Sequence, residues 1–214
     1  MRVGILGSGD VAKALGNGFI ELGHEVKMGS RSATNEKVLA WAKGAGPKAS
    51  AGSFEDAASF GEVVLLCTLG AANESAISLA KPENLEGKVV IDTTNPLDTS
   101  GGMPPKLAVS GNDSGGERVQ RLLPGAHVVK AFNIVGNAFM FRPEFPGGPP
   151  DMFICGNDGD AKRKVAEILK DFGWPTIDIG GIEGSRYLEA MCIVWVLSGA
   201  RGGNWSQAFK MLRR

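Results

Sequence analysis

Val3-Gly-Ile-Leu-Gly7-Ser8-Gly9-Asp10-Val11-Ala12 is the stretch that decides the fold. An apolar run, Arg2–Leu6, passes directly into Gly-x-Gly-x-x-Ala, and an amphipathic stretch, Val11–Leu22, follows. Gly7 permits a tight turn, side-chain-free Gly9 lets the backbone approach a pyrophosphate, and small Ala12 lets the next helix pack on the sheet. That helix begins at Val11 and offers free N–H groups and a partial positive charge to an anion. Gly23 stops it, and a second apolar strand, Glu25–Met28, begins. The glycine pattern alone is weak, and a structural glycine turn is the competing reading. Strand, loop, helix and strand in this order predict a dinucleotide site.

The end of the second strand selects the dinucleotide. A domain that takes NAD places Asp or Glu there to hold the ribose 2′-hydroxyl. This chain has Gly29-Ser30-Arg31-Ser32, with Lys37 nearby. A carboxylate would repel a 2′-phosphate, whereas Arg31 with the hydroxyls of Ser30 and Ser32 would bind one through charge-assisted hydrogen bonds. The expected cofactor is therefore NADP(H). The alternative makes Arg31 a solvated residue opening a helix, and leaves the missing acid unexplained.

Working outward, strands are expected at Arg2–Leu6, Glu25–Met28, Val63–Cys67, Val89–Asp92, Val128–Ala131, Met152–Cys155 and Thr176–Ile179. Helical patterns lie between them at Val11–Leu22, Asn35–Lys43, Ala72–Leu79, Gly116–Leu123 and Ala161–Phe172. This alternation predicts an α/β fold of Rossmann type, a doubly wound, mostly parallel sheet with helices on both faces. Ser100–Pro105 and Phe145–Pro150, rich in Gly and Pro, read as loops within it. After Gly184 the strand signals cease, and Ser185–Leu212 reads as helices broken near Arg201-Gly-Gly203. The first of these is apolar on nearly every side, so it is expected in the core, at a subunit interface, or both. The division expected is a cofactor domain over 1–180 and a short helical C-terminal extension over 181–214.

Composition narrows the function classes. Lys plus Arg and Asp plus Glu are both 23, so the balanced surface gives no electrostatic reason to expect nucleic acid or an anionic membrane as partner. The three cysteines, Cys67, Cys155 and Cys192, form no CxxC pair and read as reduced, buried thiols of a cytoplasmic protein. His24 and His127 are too few for an ordinary zinc site, and no metal is expected. The N-terminus is already strand and loop, so no signal peptide is expected. The longest uncharged apolar run, Ala190–Ala200, is far short of the roughly 18 residues of a membrane span.

Candidate site residues gather where strands end. Asn95 before Pro96 follows the strand Val89–Asp92, at the carboxyl edge where ligands bind in open sheets. The alternative is an Asn capping its own turn. Asn133 stands similarly after Val128–Ala131 and would offer an amide to a nicotinamide carboxamide or an acceptor ring. Asp92 is expected to structure the turn before Thr93-Thr-Asn95-Pro96, and Cys67 to pack rather than react. Trp195 and Met191 read either as a platform for an aromatic acceptor or as plain core, and Arg186 and Arg201 as surface charges, the alternative being to receive an acidic substrate tail. No acid–base pair stands out, so no catalytic side chain is assigned. Hydride transfer between stacked rings needs held geometry more than proton transfer.

Gly7-Ser-Gly-Asp10, Gly29-Ser-Arg31, Val129-Lys-Ala-Phe-Asn133 and Gly181-Ile-Glu-Gly-Ser-Arg186 together resemble the NADP oxidoreductases that use coenzyme F-420, an 8-hydroxy-5-deazaflavin. The same features are similar to the NADPH-binding domain of the six-transmembrane metalloreductases. The resemblance covers nearly the whole chain. It implies a homodimer, a 2′-phosphate faced by Ser8, Ser30 and Arg31, and a nicotinamide half lined by Thr68, Leu69, Gly70 and Asn95. It further implies a small-molecule electron acceptor, deazaflavin or a flavin such as FMN or FAD, between the sheet's carboxyl ends and the C-terminal helices. Two other functions fit the motif: a reductase of a small imine or keto acid, and a sensor that binds NADP(H) without chemistry. Enzymes of the first kind carry a longer helical domain, and the related hydroxyacid dehydrogenases place a catalytic lysine on it; here Lys210 is almost terminal.

Overall fold

The first strand, β1 (Arg2–Leu6), is buried from Val3 onward and lies in the middle of an eight-stranded sheet. The computed structural model describes all 214 residues. From β1 the chain winds one way through α1 (Asp10–Glu21), β2 (Glu25–Ser30), α2 (Glu36–Ala45) and β3 (Ala49–Ser53). It returns through α3 (Phe54–Phe60) to β4 (Val63–Leu66) on the other side of β1, then continues through α4 (Asn73–Ala80) to β5 (Val89–Asp92). Two short strands, β6 (Leu97–Asp98) and β7 (Lys106–Leu107), pair apart from the main sheet before α5 (Gly115–Leu122). Next come β8 (His127–Lys130), β9 (Met152–Gly156), α6 (Gly159–Asp171), β10 (Thr176–Asp178) and α7 (Ser185–Gly202).

The strand order is β10-β9-β8-β5-β4-β1-β2-β3, so the winding reverses between β1 and β4. That reversal opens a crevice at the carboxyl ends of the strands, the binding position of doubly wound sheets. Every neighbouring pair in the sheet is parallel except β8 with β9. No crossover helix separates those two strands, only a turn at Asn137–Phe139 and a Pro-rich loop, so the chain comes back antiparallel.

Two apolar layers hold the helices to the sheet. On one face Leu15, Phe19, Trp41, Val165 and Phe172 pack beneath α1, α2 and α6; on the other, Ala57, Ala76, Ile77 and Val119 seat α3, α4 and α5. Leu188 of α7 belongs to the first cluster, so the C-terminal helix is fixed to the same core.

Three departures from the sequence reading have physical causes. Strand β3, Ala-Ser-Ala-Gly-Ser, carries no β-branched or aromatic residue and is an edge strand held by backbone pairing to β2. Helix α3 is too short for a periodicity to show. Its local signal is the Ser53 capping box, in which Ser53 and Asp56 bond each other's backbone N–H. Beyond α7 there is no second helix. Gly203 turns the chain into the left-handed region at φ 62°, and residues 204–214 run back unhelical along α7. The tail is pinned by Trp195 Nε1–H to the Gln207 carbonyl (2.9 Å) and Met211 N–H to Asp151 (2.7 Å), with the Trp195 and Trp205 rings 5.3 Å apart. Trp195 is thereby committed to the tail.

Phe172 anchors the α6 layer, with ring centroids 4.7 Å from Phe19, 5.1 Å from Phe141 and 5.8 Å from Phe132. Phe172→Ala is expected to cost about 3–5 kcal/mol in urea unfolding, as a cavity in a fully buried aromatic cluster does. A cost below about 1 kcal/mol would show that this layer does not hold α6.

Candidate functional site

At the carboxyl edge of β1 the backbone turns sharply at Gly7, whose φ is 147°. A Cβ there would meet the Cys67 carbonyl oxygen at 2.4 Å, so the protein itself demands glycine. Gly9 differs. It caps α1 with an ordinary φ of −83°, and a Cβ there would meet nothing within 4 Å. Nothing in the chain requires the missing side chain at Gly9, so the space is available to a ligand that approaches the backbone. Ser8 and Val11 are half-buried and Asp10 is exposed on the first turn of α1. Cys67, packed under this turn, has its thiol pushed up to about 12 by burial, which suits packing and not nucleophilic attack.

At the end of β2, Ser30 is buried and its hydroxyl donates to the Ser32 carbonyl (2.7 Å), which shapes the turn. Arg31 and Ser32 are exposed, and Arg31 takes part in none of the protein's ion pairs. Ser32 exchanges a hydrogen bond with the Thr34 hydroxyl at 2.8 Å. No carboxylate stands on this turn, and Lys37 is exposed on the first turn of α2.

The loop after β4 meets the loop after β5. A Cβ on Gly70 would lie 2.2 Å from the Asn95 carbonyl oxygen, so this glycine is what lets the two loops touch. Leu69 beside it is 81% exposed. Asn95 and Asn133 interlock: Asn95 Nδ2 donates to the Asn133 carbonyl (2.8 Å), and Asn133 Nδ2 donates to Asn95 Oδ1 (2.9 Å) and to the Leu188 carbonyl of α7 (3.0 Å). Asn133 is 4% exposed, and its Oδ1 is a buried acceptor with no partner in the protein. The residues picked from the sequence thus form two groups along one edge: Gly7–Val11 with Ser30–Ser32, and Thr68–Gly70 with Asn95, Pro96 and Asn133.

A cavity of about 390 Å³ opens beside the second group, between the first turn of α4 and the length of α5. Gly70, Asn73, Pro96, Val109, Arg118 and Leu122 are among its walls, and α7 is not. A shallower hollow of about 360 Å³ runs along α1 past Lys13, Asn17 and Phe141.

What the sequence did not reveal is a buried charge cluster under this edge. Lys130, wholly buried at the end of β8, places Nζ 2.8 Å from Asp92 Oδ2, 2.8 Å from Glu189 Oε1 and 2.7 Å from the Thr94 carbonyl. The ammonium thus donates a hydrogen bond to the Thr94 carbonyl and is ion-paired with both carboxylates. Burial alone would lower the pKa of Lys130, but the Asp92 and Glu189 carboxylates outweigh it and hold it above the ordinary lysine value. Glu189 also accepts from the backbone N–H groups of Gly115 and Gly116 (both 2.9 Å), at the start of α5, where helix polarity favours negative charge. A Cβ on Gly116 would collide with Ser185 Oγ at 2.2 Å, so glycine lets α7 come this close. The available signal was Glu189 as the one acid in Tyr187–Leu197, an otherwise apolar stretch. Asp92 does shape its turn as expected, accepting from the N–H and hydroxyl of Thr94. Arg186 is not a free surface charge: it pairs with Glu117 of α5 (2.8 Å), and that guanidinium holds the Glu117 carboxyl below its usual range.

With the geometry in view, the relatives are informative. The model for the family "NADP oxidoreductase coenzyme F420-dependent" matches residues 2–96. An F420-dependent NADP reductase of Methanothermobacter marburgensis is 30% identical over 199 residues, 88% of each chain. The chain belongs to this family of NADP-dependent oxidoreductases. A solved structure from Arthrobacter sp. fb24, described as a candidate F420-dependent NADP-reductase, superposes with a TM-score of 0.93 at 36% identity over 100% of both chains. Rat Metalloreductase STEAP3 is 32% identical over 199 residues, 89% of this chain but only 36% of that protein. No helix of the present chain is long and apolar enough to cross a membrane.

Lys130→Met leaves Asp92 and Glu189 buried without their cation, and is expected to cost about 3–5 kcal/mol in urea unfolding. Adding Glu189→Gln to that variant removes one uncompensated charge and is expected to recover part of the loss. A Lys130→Met cost below about 1 kcal/mol would mean the cluster does not hold the fold.

Proposed function

We propose that the protein transfers a hydride between NADP(H) and a deazaflavin or flavin-type acceptor, as a cytoplasmic homodimer. The observation that carries this is the pairing of Gly9, open to a ligand, with Arg31, a free guanidinium on a turn without a carboxylate. A pyrophosphate is held by the N–H groups at the start of α1. Its 2′-phosphate meets Arg31, with Ser8 and Ser32 as hydroxyl partners. Ser30, whose proton is committed to Ser32, contributes the turn. The nicotinamide half lies along Thr68, Leu69, Gly70, Asn95, Pro96 and Asn133.

The bound dinucleotide supplies the hydride, and the protein supplies position. Leu69 presents apolar surface that a bound nicotinamide would cover, while the interlocked Asn95 and Asn133 amides keep the edge rigid. The one buried lysine is fully paired, which fits a reaction in which no side chain gives or takes a proton. The cavity beside Gly70 and Pro96 has room for part of an aromatic acceptor. The extension 181–214 closes the far side of this edge through Leu188, and Tyr187 (68% exposed) and Val194 (54%) leave an apolar face on α7 for a second subunit. The family name and the name of the Methanothermobacter relative support the deazaflavin.

The test is oxidation of NADPH, followed by the loss of reduced-nicotinamide absorbance, with the deazaflavin coenzyme, FMN, FAD and riboflavin offered in parallel. Turnover with one of these is expected, and NADPH binding without turnover by any would overturn the reading. Arg31→Ala is expected to raise the Kd for NADPH at least about tenfold with little change for NADH, since one charge-assisted contact is worth roughly 1.5–3 kcal/mol. Equal losses for both dinucleotides would remove Arg31 from the 2′-phosphate. Gly9→Ala is expected to weaken NADPH binding while leaving the melting temperature within a few degrees. Gly7→Ala, which clashes with Cys67, is expected to lower it.

A further inference from the structure

A chain of side-chain hydrogen bonds leads from the buried charge cluster to the cofactor edge, and its polarity is fixed at the buried end. Asp92, paired with the Lys130 ammonium, is a carboxylate and accepts only. The Thr94 hydroxyl therefore donates to Asp92 Oδ1 (2.7 Å) and is left to accept. It accepts from Asn73 Nδ2 (2.8 Å), which fixes the orientation of that amide. Asn73 Oδ1 then faces Thr68 and accepts its hydroxyl proton (2.6 Å). The proton of Thr68 is spent inward, so the half-buried hydroxyl has only lone pairs to offer outward.

We infer that Asp92 and Lys130, neither of which reaches the surface, act as positioning residues that make Thr68 an obligate acceptor, so that Thr68 receives a hydrogen bond from the carboxamide N–H of the nicotinamide. The inference rests on the proposed NADP(H) site. The orphaned acceptor Asn133 Oδ1 belongs to the same edge, so that edge carries two acceptors and calls for a donor. Of the polar groups on the nicotinamide half, the carboxamide NH₂ is the one that can only donate; ribose hydroxyls do both.

Asp92→Asn separates this role from a merely structural one. The new amide turns its oxygen to Lys130, since the opposite orientation sets NH₂ against ammonium, and its NH₂ to the Thr94 hydroxyl, at the cost of the bond that Asp92 accepts from the Thr94 backbone N–H. Thr94 then accepts from residue 92 and donates to Asn73, whose amide inverts and donates to Thr68. The hydroxyl of Thr68 is released to donate outward, against the carboxamide N–H. The cluster keeps the balanced pair Lys130 and Glu189, so the variant retains a compensated core.

The experiment is calorimetric titration of the whole chain with three probes: NADP⁺, its 3-acetylpyridine analogue, which has a methyl group in place of the carboxamide NH₂, and adenosine 2′,5′-bisphosphate, which lacks the nicotinamide half. Thr68→Val is expected to weaken NADP⁺ about 3- to 10-fold, the worth of one neutral hydrogen bond, and to leave the other two probes unchanged. Asp92→Asn is expected to give the same selective loss although it touches no ligand. In the double variant the Asp92→Asn effect is expected to fall below about twofold, since its messenger is gone. Thr94→Val, which cuts the chain without removing a charge, is expected to give a smaller loss with the same selectivity, and serves if Asp92→Asn fails to fold. Equal weakening of all three probes, no weakening of NADP⁺, or penalties that multiply in the double variant would each overturn the inference. Failure of the unaltered chain to bind the bisphosphate would instead overturn the NADP(H) reading beneath it.

Discussion

The ammonium of Lys130, buried between Asp92 and Glu189, is the interaction on which the rest of the structure depends. Asp92 ends β5, Lys130 ends β8, and Glu189 belongs to the second turn of α7 and caps α5. One cation therefore joins two central strands and two helices at the carboxyl edge. Taken alone, the two carboxylates and the lysine leave one buried negative charge in excess. The partial positive charge of the α5 N-terminus, delivered by Gly115 and Gly116, offsets it. A buried ion pair is weak support for stability, because desolvation consumes most of its attraction. Its effect here is on uniqueness: α7 can dock in only one register that leaves no charge unpaired.

That constraint explains where α7 sits. A helix with Met191, Cys192, Ile193, Val194 and Val196 in succession has little amphipathic direction, and its hydrophobic surface alone would allow several rotations against the sheet. Glu189 must face Lys130, and the Leu188 carbonyl then meets Asn133. Arg186, one turn earlier, meets Glu117. Polar contacts choose the rotation and apolar contacts supply the energy. The tail after Gly203 fills the groove that remains, with the Trp205 ring tilted against Trp195.

The first half of the fold was legible because its signals are local. Gly7 and Gly9 announce a turn by what they lack, and the apolar runs of β1, β4 and β5 are continuous because parallel strands are buried on both faces. Edge strand β3 and helix α3 were not legible, since neither buries enough surface to impose a pattern. The tail after α7 reads as helix only because it carries no strand signal; the chain beyond Gly203, in the left-handed region, is unhelical. The residues at strand ends were legible as a set, since topology brings strand ends together. The charge cluster was not: Asp92, Lys130 and Glu189 are 38 and 59 residues apart along the chain, and only the folded topology makes them neighbours. A lone acid in an apolar helix was the one hint that a partner must exist.

An enzyme that moves protons keeps a titratable group unsatisfied and within reach of substrate. Here Lys130 is buried and ion-paired with two carboxylates, and the Cys67 thiol is held far above neutrality. What the carboxyl edge leaves unspent is of another kind: lone pairs on Thr68 and Asn133, the bare backbone at Gly9, the free guanidinium of Arg31 and the uncovered side chain of Leu69. In the proposed site these are the groups that would hold a molecule in place. A reaction served by placement alone is one in which both reactants already carry their reactive atoms, as a nicotinamide and a flavin-like ring do. The charged cluster beneath then has a purpose beyond stability, because placement is only as accurate as the hydrogen bonds that define it. A network whose protons are all assigned from a buried carboxylate leaves those bonds a single arrangement.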